Sequence, residues 1–340
     1  MSDLEERPDR PRVVTIRDVA AASGVSIGTV SKVLNGRGKL RAETRARVSA
    51  VADRLGFRPN PLAQGLLAGR THTIALIACD GFSRFSVPVM LGVEDFLAPE
   101  EISMFTCDTR DDPIRERHHV ERLLARRVEG IVTTGRRAET RHGLGDLPVP
   151  VVHTVSRSAG PGDFSVVPDD RGGGALAVRH LLAAGRSRIG HITGPRRFLA
   201  AGQRAAGLTG ALAEAGLRPV AEPLFGEWSE EWGRQAAGIL LRARPDVDAV
   251  VCGSDQIARG VAEAMGEHGR KVPDDVALIG FENWEPMALG ARPPLTSVDL
   301  NLTEIGRTAA RYLLDAIGGA PPQGGVLTVP ATLVVRESTR

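Results

Sequence analysis

Residues 15–70 carry the local signals for the structure of the first part of this chain, and they read TIRDVAAASGVSIGTVSKVLNGRGKLRAETRARVSAVADRLGFRPNPLAQGLLAGR. Thr15 is followed three residues later by Asp18, which is the spacing of a helix N-terminal capping box. Gly24 suits a tight turn after this first helix, because a residue without Cβ accepts a positive φ. Ser26 is placed to cap a second short helix. A third helix follows, so the stretch predicts an all-α domain of three short helices.

The second helix of this domain has two different faces. Val30, Val33 and Leu34 are spaced to pack inward. A helix packed by these residues presents the opposite side to solvent, as the recognition helix of a helix-turn-helix domain does. The outward positions are Ile27, Gly28, Ser31 and Lys32.

The charge of the chain is unevenly distributed. Residues 12–70 carry eleven Lys or Arg and three acidic residues, whereas the rest of the chain carries 32 basic and 38 acidic residues. A basic segment on a slightly acidic body is typical of attachment to a polyphosphate. The alternative interpretation is a solvated basic face.

The stretch at 15–70 resembles the DNA-binding head and hinge of the LacI/GalR family of bacterial regulators, through the motifs DVA, GVS, TVSKVLN and LGFRPN. The resemblance implies that Ile27, Gly28 and Lys32 face bases in the major groove of double-stranded DNA. Lys32 can donate to guanine O6 or N7, Ile27 offers an apolar contact, and Gly28 has no side chain. The resemblance also implies phosphate contacts, which position the domain without specifying sequence, from Ser26, Thr29, Ser31, Asn35, Thr44 and Asn60.

Residues 59–70 are expected to form a hinge helix that is too short to be stable alone in water. Gly65 weakens it further. In the family, the hinge helices of two subunits pair over the operator centre, and each inserts a leucine into the minor groove. That leucine aligns with Leu66. The alternative is that Leu66 packs on the following domain.

Beyond residue 70 the chain alternates between strand-like and helix-like segments in two successive series. Such alternation predicts parallel sheets with helices on both faces, and two series predict two lobes. The whole is predicted to be a three-helix helix-turn-helix head plus hinge helix, joined to an α/β two-lobed core that resembles periplasmic binding proteins, with two Rossmann-like parallel-sheet subdomains. The predicted boundaries are a tail at 1–12, the head at 13–58, the hinge at 59–70, and an effector-binding and dimerisation domain at 71–340, with a first lobe at 71–168 and 300–322 and a second lobe at 169–299 and 323–340.

Parallel sheets bind ligands at the carboxyl ends of their strands, so we expect an effector cleft between the lobes. Arg204 corresponds to the arginine that contacts ligand hydroxyls or carboxylates in the family. The other effector positions implied by the resemblance are Asp80, Phe85, Trp228, Ser254, Asp255 and Glu282. Alternatively, Arg204 and Asp255 are solvated charges at helix ends, and the two aromatic residues belong to the core. The segment Ser83-Arg84-Phe85-Ser86 departs from the family pattern, and a sugar or related polar metabolite is the expected ligand class.

Several function classes are disfavoured. The sequence has no Walker loop, no GxSxG motif and no zinc-ligand spacing, so an enzyme is not expected, and no cofactor or metal is expected either. The first twelve residues have no signal-peptide core and no later segment suits a membrane span, which argues against a transport binding protein and favours the cytoplasm. Three widely spaced cysteines do not predict disulfides. We therefore expect a transcriptional regulator, acting as a repressor, that binds a pseudo-palindromic operator as a homodimer, with a tetramer and a ligand-independent DNA-binding protein as the alternatives left open.

Overall fold

The computed structural model describes residues 14–34, 38–58, 70–135 and 140–340. Within them the chain forms two compact units, divided between Thr71 and His72. The predicted tail, residues 59–69 of the predicted hinge, and three predicted DNA contacts lie outside the described residues; these contacts are Asn35, Asn60 and Leu66. In the described part of the chain, no helix has both the length and the apolarity that a bilayer span needs.

The described residues of the first unit form three helices. They are α1 (Ile16–Ser23), α2 (Ile27–Leu34) and α3 (Ala42–Leu55). The predicted capping pair is present, because the backbone N–H and the hydroxyl of Thr15 both donate to Asp18 Oδ2, at 2.8 and 2.7 Å. Gly24 ends α1 with a φ of 68°. Val19, Val30 and Val48 are fully buried, one from each helix, so the helices share one small core.

Where the structure describes the second unit, its strands form two six-stranded sheets. All neighbours in the first sheet are parallel, in the order β13-β7-β5-β3-β1-β2. Its strands are β1 (Thr73–Ala78), β2 (Ser103–Asp108), β3 (Ile131–Thr134), β5 (Val151–Thr154), β7 (Phe164–Pro168) and β13 (Gly325–Val329). A separate two-stranded ladder joins β4 (Thr140–Arg141) and β6 (Arg157–Ser158).

The second sheet has the order β14-β12-β11-β10-β8-β9 and is parallel except for the antiparallel pair β12 and β14. Its strands are β8 (Ile189–Thr193), β9 (Leu224–Phe225), β10 (Ala249–Cys252), β11 (Ala277–Phe281), β12 (Thr296–Asp299) and β14 (Thr332–Val334). Two sheets of mainly parallel strands with helical connections confirm the predicted two-lobed α/β class.

Helices cover both sheets of the second unit. They are α4 (Ser86–Leu97), α5 (Pro113–Ala125), α6 (Asp170–Ala183), α7 (Leu199–Glu214), α8 (Glu230–Ala243), α9 (Asp255–Glu267), the short α10 (Glu285–Ala288) and α11 (Leu302–Ile317), with a 3₁₀ turn at Ala98–Glu100. Helix α11 packs against α4 and against strands of the first sheet, although it follows β12 of the second. Gly92 and Gly306 make the α4–α11 approach close, since a Cβ on either would lie about 2 Å from a backbone oxygen of the other helix.

One predicted lobe boundary is wrong. The sequence predicts that residues 323–340 belong to the second lobe, but Gly325–Val329 pairs with Phe164–Pro168 at the edge of the first sheet. Pro330 separates this strand from the next, because proline cannot donate to a sheet ladder, and the long-range pairing with β7 places the first of the two strands in the first sheet. Only Thr332–Val334, in the predicted last strand, joins the second sheet.

Candidate functional site

The outward face of α2 is the first candidate site. Ile27, Gly28 and Lys32 are all exposed and lie on one side of this helix, while Val30 and Val33 are buried beneath it. Ile27 is 46% exposed. An apolar side chain kept on the surface of a small domain, beside a lysine and a glycine that leaves backbone accessible, suits contact with base edges in a groove.

Polar side chains surround the start of α2. The Ser26 and Thr29 hydroxyls are 3.0 Å apart, and the Thr29 backbone N–H donates to Ser26 Oγ at 3.2 Å, so Ser26 caps the helix. Ser31 and Thr44 are half-buried. These four residues are therefore close to the surface, where hydroxyls can reach a phosphate as well as serve the helix.

The second candidate site is a cavity of about 310 Å³ between the two sheets of the second unit. Its wall includes residues that follow β1 of the first sheet and residues at the ends of strands and helices of the second. Such a volume is at the low end of the range for small-molecule sites. The residues that line it are Ser83, Arg84, Phe85, Val155, Pro168, Asp170, Phe198, Ala200, Arg204, Trp228, Gln256, Glu282, Trp284 and Leu300.

Arg204 lies in this cavity but is not a solvated charge at a helix end. Its side chain is 4% exposed, and its Nε donates to Asp170 Oδ1 at 2.8 Å. Its Nη1 donates to the Gly253 carbonyl oxygen. The guanidinium also lies 5.7 Å from the Trp228 ring centroid. Arg204 is therefore held on one edge, and Asp170 belongs to the same site.

Glu282 lies in the cavity wall directly after β11, close to both Arg84 and Arg204. Its φ of 92° is unusual for a residue with a side chain, so the surrounding structure must stabilise this conformation. Burial raises the pKa of the Glu282 carboxyl, whereas the nearby Arg84 and Arg204 guanidinium groups lower it. The distances are 3.0 Å from Arg84 Nε and 3.8 Å from Arg204 Nη1, so this carboxylate lies between two cations.

Phe85 and Trp228 also line the cavity, and each is half-buried. The Trp228 ring stacks against Phe198 at a centroid distance of 6.3 Å. A glycine at 194 makes room for it, since a Cβ there would lie 2.1 Å from the indole. Aromatic faces beside charged groups suit a ligand with an apolar face and polar edges.

Three other predicted ligand contacts do not line the cavity and instead support its wall. Asp80 Oδ2 accepts from the Ser83 hydroxyl at 2.7 Å and from the Ser86 backbone N–H at 3.2 Å. Ser254 accepts from the Ile257 backbone N–H and caps α9. Asp255 is fully buried and accepts from the Ser297 hydroxyl and the Trp284 backbone N–H, both at 2.6 Å.

Asp255 has an unusual ionisation for a structural carboxylate. Burial is the main cause that raises its pKa to about 7, and the two hydrogen bonds only partly oppose it. Because it holds the backbone at Trp284, it fixes the segment that follows Glu282. Ser254 and Asp255 thus shape the site indirectly.

Six lining residues with polar or aromatic side chains are not among the predicted ligand contacts: Ser83, Arg84, Asp170, Phe198, Gln256 and Trp284. The sequence does contain a signal for Arg84, because this residue stands in the segment that departs from the family pattern. Asp170 and Gln256 occupy the first turns of α6 and α9, which follow strands at the sheet edge where ligands bind. In the described ranges, no group of three or more His, Cys, Asp or Glu residues could hold a metal ion.

The chain matches two family models and several known proteins. The model of bacterial regulatory proteins of the lacI family matches residues 15–60, and that of a periplasmic binding protein-like domain matches residues 178–339. The HTH-type transcriptional regulator CelR of Thermobifida fusca is 33% identical over 341 residues, covering 97% of this chain and 99% of that protein. Two solved structures each cover 96% of this chain and are themselves covered to 99%. One is the lac repressor dimer bound to operator and the anti-inducer ONPF, 26% identical with a TM-score of 0.78, and the other is a CelR–cellobiose complex, 30% identical with a TM-score of 0.65.

Proposed function

Because this chain belongs to the lacI family of bacterial regulatory proteins, we propose that it is a transcriptional regulator, acting as a repressor, that binds a specific operator and responds to a small molecule. Its relatives are regulators rather than enzymes. Its site of action is the cytoplasm, because that is where bacterial DNA lies.

The observation that carries the proposal is the exposed face of α2. A helix buried on one side by Val30 and Val33 presents Ile27, Gly28 and Lys32 on the other. These three residues contact base edges in the major groove, and their small number of polar groups makes the direct reading of sequence sparse. The predicted phosphate contacts position the head: Ser26, Thr29, Ser31, Asn35, Thr44 and Asn60.

The hinge at residues 59–70 adds a minor-groove contact to the DNA contacts of the head. Leu66, outside the described residues, inserts into the minor groove and kinks the duplex, at a cost of a few kcal/mol per unstacked step that the wider contact surface offsets. Leu66→Ala should weaken operator binding and reduce bending. Leu67→Ala is the matched control. Equal effects of the two substitutions on DNA bending would show that Leu66 is not the residue that kinks the duplex.

The effector is a neutral, polar carbohydrate or a related metabolite. The formal charges of two arginines and two carboxylates in the cavity wall cancel; these residues are Arg84, Arg204, Asp170 and Glu282. An uncharged ligand therefore leaves no unpaired charge in the wall. The aromatic rings of Phe85 and Trp228 offer apolar faces to a sugar ring. Of the two solved relatives, one binds cellobiose and the other ONPF.

The working form is a homodimer, as in the lac repressor bound to its operator. Two heads then meet two half-sites, so the operator has the two-fold symmetry of the protein. Ligand binding shifts the two lobes, and this changes the spacing of the paired hinges. A coupling of about 1–3 kcal/mol between the ligand and operator sites is enough for a switch.

Binding-site selection from a random duplex pool tests the proposal. Purified protein should enrich one pseudo-palindrome, and Lys39→Ala, which changes an exposed lysine outside α2, should enrich the same one. A pool that remains random after repeated selection would overturn the assignment.

A further inference from the structure

Arg84 reaches from the first lobe into the second. It lies in the loop after β1, but its guanidinium pairs with residues of the second lobe. Its Nη1 donates to Gln256 Oε1 at 2.9 Å, and its Nε lies 3.0 Å from Glu282 Oε2. The Arg84 side chain is 19% exposed and that of Glu282 is 6% exposed. The contact is therefore an interlobe bridge shielded from water.

The environment of this guanidinium is that of a bound planar cation. Its Cζ atom lies 4.9 Å from the Phe85 ring centroid and 4.8 Å from the Trp284 ring centroid. Aromatic faces attract a cation at this range, and a carboxylate binds the guanidinium edge. Phe85, Trp284, Gln256 and Glu282 thus form a subsite with the chemistry of a guanidinium receptor.

The fit within this subsite is incomplete. Arg84 Nε and Glu282 Oε2 are both buried, and neither has a well-aligned hydrogen bond despite their short separation. An ion pair without aligned hydrogen bonds recovers less of the free energy lost on desolvation. The side chain is therefore replaceable by a ligand with better-placed donors.

Arg84 also divides the cleft. A second cavity of about 930 Å³ lies on the other side of the bridge and reaches Asp299, Asn301 and Arg307. The two cavities share the same five wall residues, namely Ser83, Arg84, Phe85, Glu282 and Trp284. Moving the Arg84 side chain would join an inner chamber of about 310 Å³ to the larger outer one.

We propose that Arg84 is an internal ligand: its guanidinium fills a subsite formed by Phe85, Trp284, Gln256 and Glu282, and an effector that spans both chambers must displace it. The subsite is a property of the cleft itself. Only the displacement of the Arg84 side chain by an effector rests on the proposed function.

The subsite is tested with a small guanidinium compound in place of the missing side chain. In the full-length Arg84→Ala variant, ethylguanidinium should bind with a saturable isotherm and raise the Tm by at least about 2 °C at ten times its Kd. Wild-type protein should show neither effect, because its own side chain fills the subsite. Arg84→Ser provides a second background in which to repeat the measurement.

Two controls make this result specific. Arg110→Ala removes an arginine that is 73% exposed on another loop of the first lobe, and it should not create ethylguanidinium binding. Adding Glu282→Gln to Arg84→Ala should weaken ethylguanidinium binding at least about tenfold, because the carboxylate partner is lost. Equal binding to Arg84→Ala and wild type, or no binding to either Arg84 variant, would overturn the subsite.

Sugars of one and two rings test the displacement. The ratio of affinities for cellobiose and D-glucose should rise at least about tenfold from wild type to Arg84→Ala, because the second ring no longer has to displace a bound side chain. An unchanged ratio overturns the displacement clause. If neither protein binds any sugar, the carbohydrate effector of the proposed function fails, while the ethylguanidinium result still decides the role of Arg84.

Discussion

The buried ion pair between Arg204 and Asp170 connects two adjacent helices of the second lobe, with Arg204 Nε 2.8 Å from Asp170 Oδ1. Asp170 begins α6, and Arg204 lies within α7. Gly174 and Gly207 let these helices approach, since a Cβ on either would lie about 2 Å from a backbone oxygen of the partner helix. The pair is therefore part of the packing of the lobe as well as part of the cavity wall.

Arg204→Met is expected to destabilise the protein by about 3–5 kcal/mol, because it leaves Asp170 buried without its cation. Urea unfolding measures the change. The double variant Arg204→Met/Asp170→Asn should recover most of the loss, since Asp170 no longer carries a buried charge without its cation. Neither variant should respond to ligand, because both lack the Arg204 guanidinium. A single variant as stable as wild type would show that the ion pair is not needed for packing.

Gly194→Ala should disturb the cavity through Trp228. The added Cβ would lie 2.1 Å from the indole, so the ring must move, and overpacking of this kind costs about 1–3 kcal/mol. We expect weaker ligand binding by calorimetry and unchanged operator binding in the absence of ligand. Gly210→Ala is the matched control, because its Cβ would meet nothing within 4 Å. Equal ligand affinity in the two variants would show that Trp228 does not contribute to ligand binding.

Lys32→Ala should lower the preference for one base position by about 1–3 kcal/mol, since among the three predicted base contacts its ammonium is the side-chain group that can donate to guanine. Lys39→Ala should reduce affinity for all duplexes by a similar factor, as expected for a contact that carries no sequence information. Competition binding with single-base operator variants distinguishes the two patterns. If Lys32→Ala lowered the affinity for all duplexes equally, Lys32 would be a phosphate contact and not a base contact.

His191 gives the fold a defined dependence on acidity. Complete burial lowers its pKa to about 4, although the hydrogen bond with the Val251 carbonyl oxygen opposes the shift. The unfolded state then binds more protons between pH 4 and its ordinary value of about 6.5, so stability is lost as the pH falls through this window. Asp255 acts in the opposite sense, because its raised pKa makes the folded state bind more protons up to about pH 7.

Comparison with His191→Asn isolates this contribution. Between about pH 7.5 and about pH 5, the wild type should lose on the order of 2 kcal/mol relative to the variant. Urea unfolding at the two pH values measures it. Parallel losses in both proteins would assign the acid sensitivity to other groups, such as His153, whose pKa burial also lowers to about 4.

Local signals predict much of the fold. The three head helices follow from capping pairs, a glycine turn and apolar spacing within 15–58, where each contact is made by near neighbours in sequence. The strand at Gly325–Val329 was misplaced because only its pairing with β7, more than a hundred residues earlier, reveals its sheet. Pro330 shows where the run at 325–334 divides into two strands, but it does not show which sheet either strand joins.

The candidate cleft was less predictable than the head. Arg204 and Glu282 were found through the resemblance, but the role of Arg84 depends on Gln256, which is 172 positions away. Nothing local to residue 84 specifies that its guanidinium enters the other lobe. Conversely, Ser254 and Asp255 stand at the correct sheet edge, yet their side chains bond to the backbone and to Ser297 rather than face the cavity.

Thermodynamic coupling between the operator site and the ligand site decides whether this protein is a ligand-controlled regulator. The operator affinity of the purified protein is measured by fluorescence anisotropy with and without the sugar that binds it best, and the sugar affinity is measured by calorimetry with and without the selected operator. The account predicts a change of about 5–150-fold in operator affinity and the same factor in sugar affinity, because coupling between binding sites is reciprocal. Saturating sugar that leaves operator affinity unchanged would contradict it.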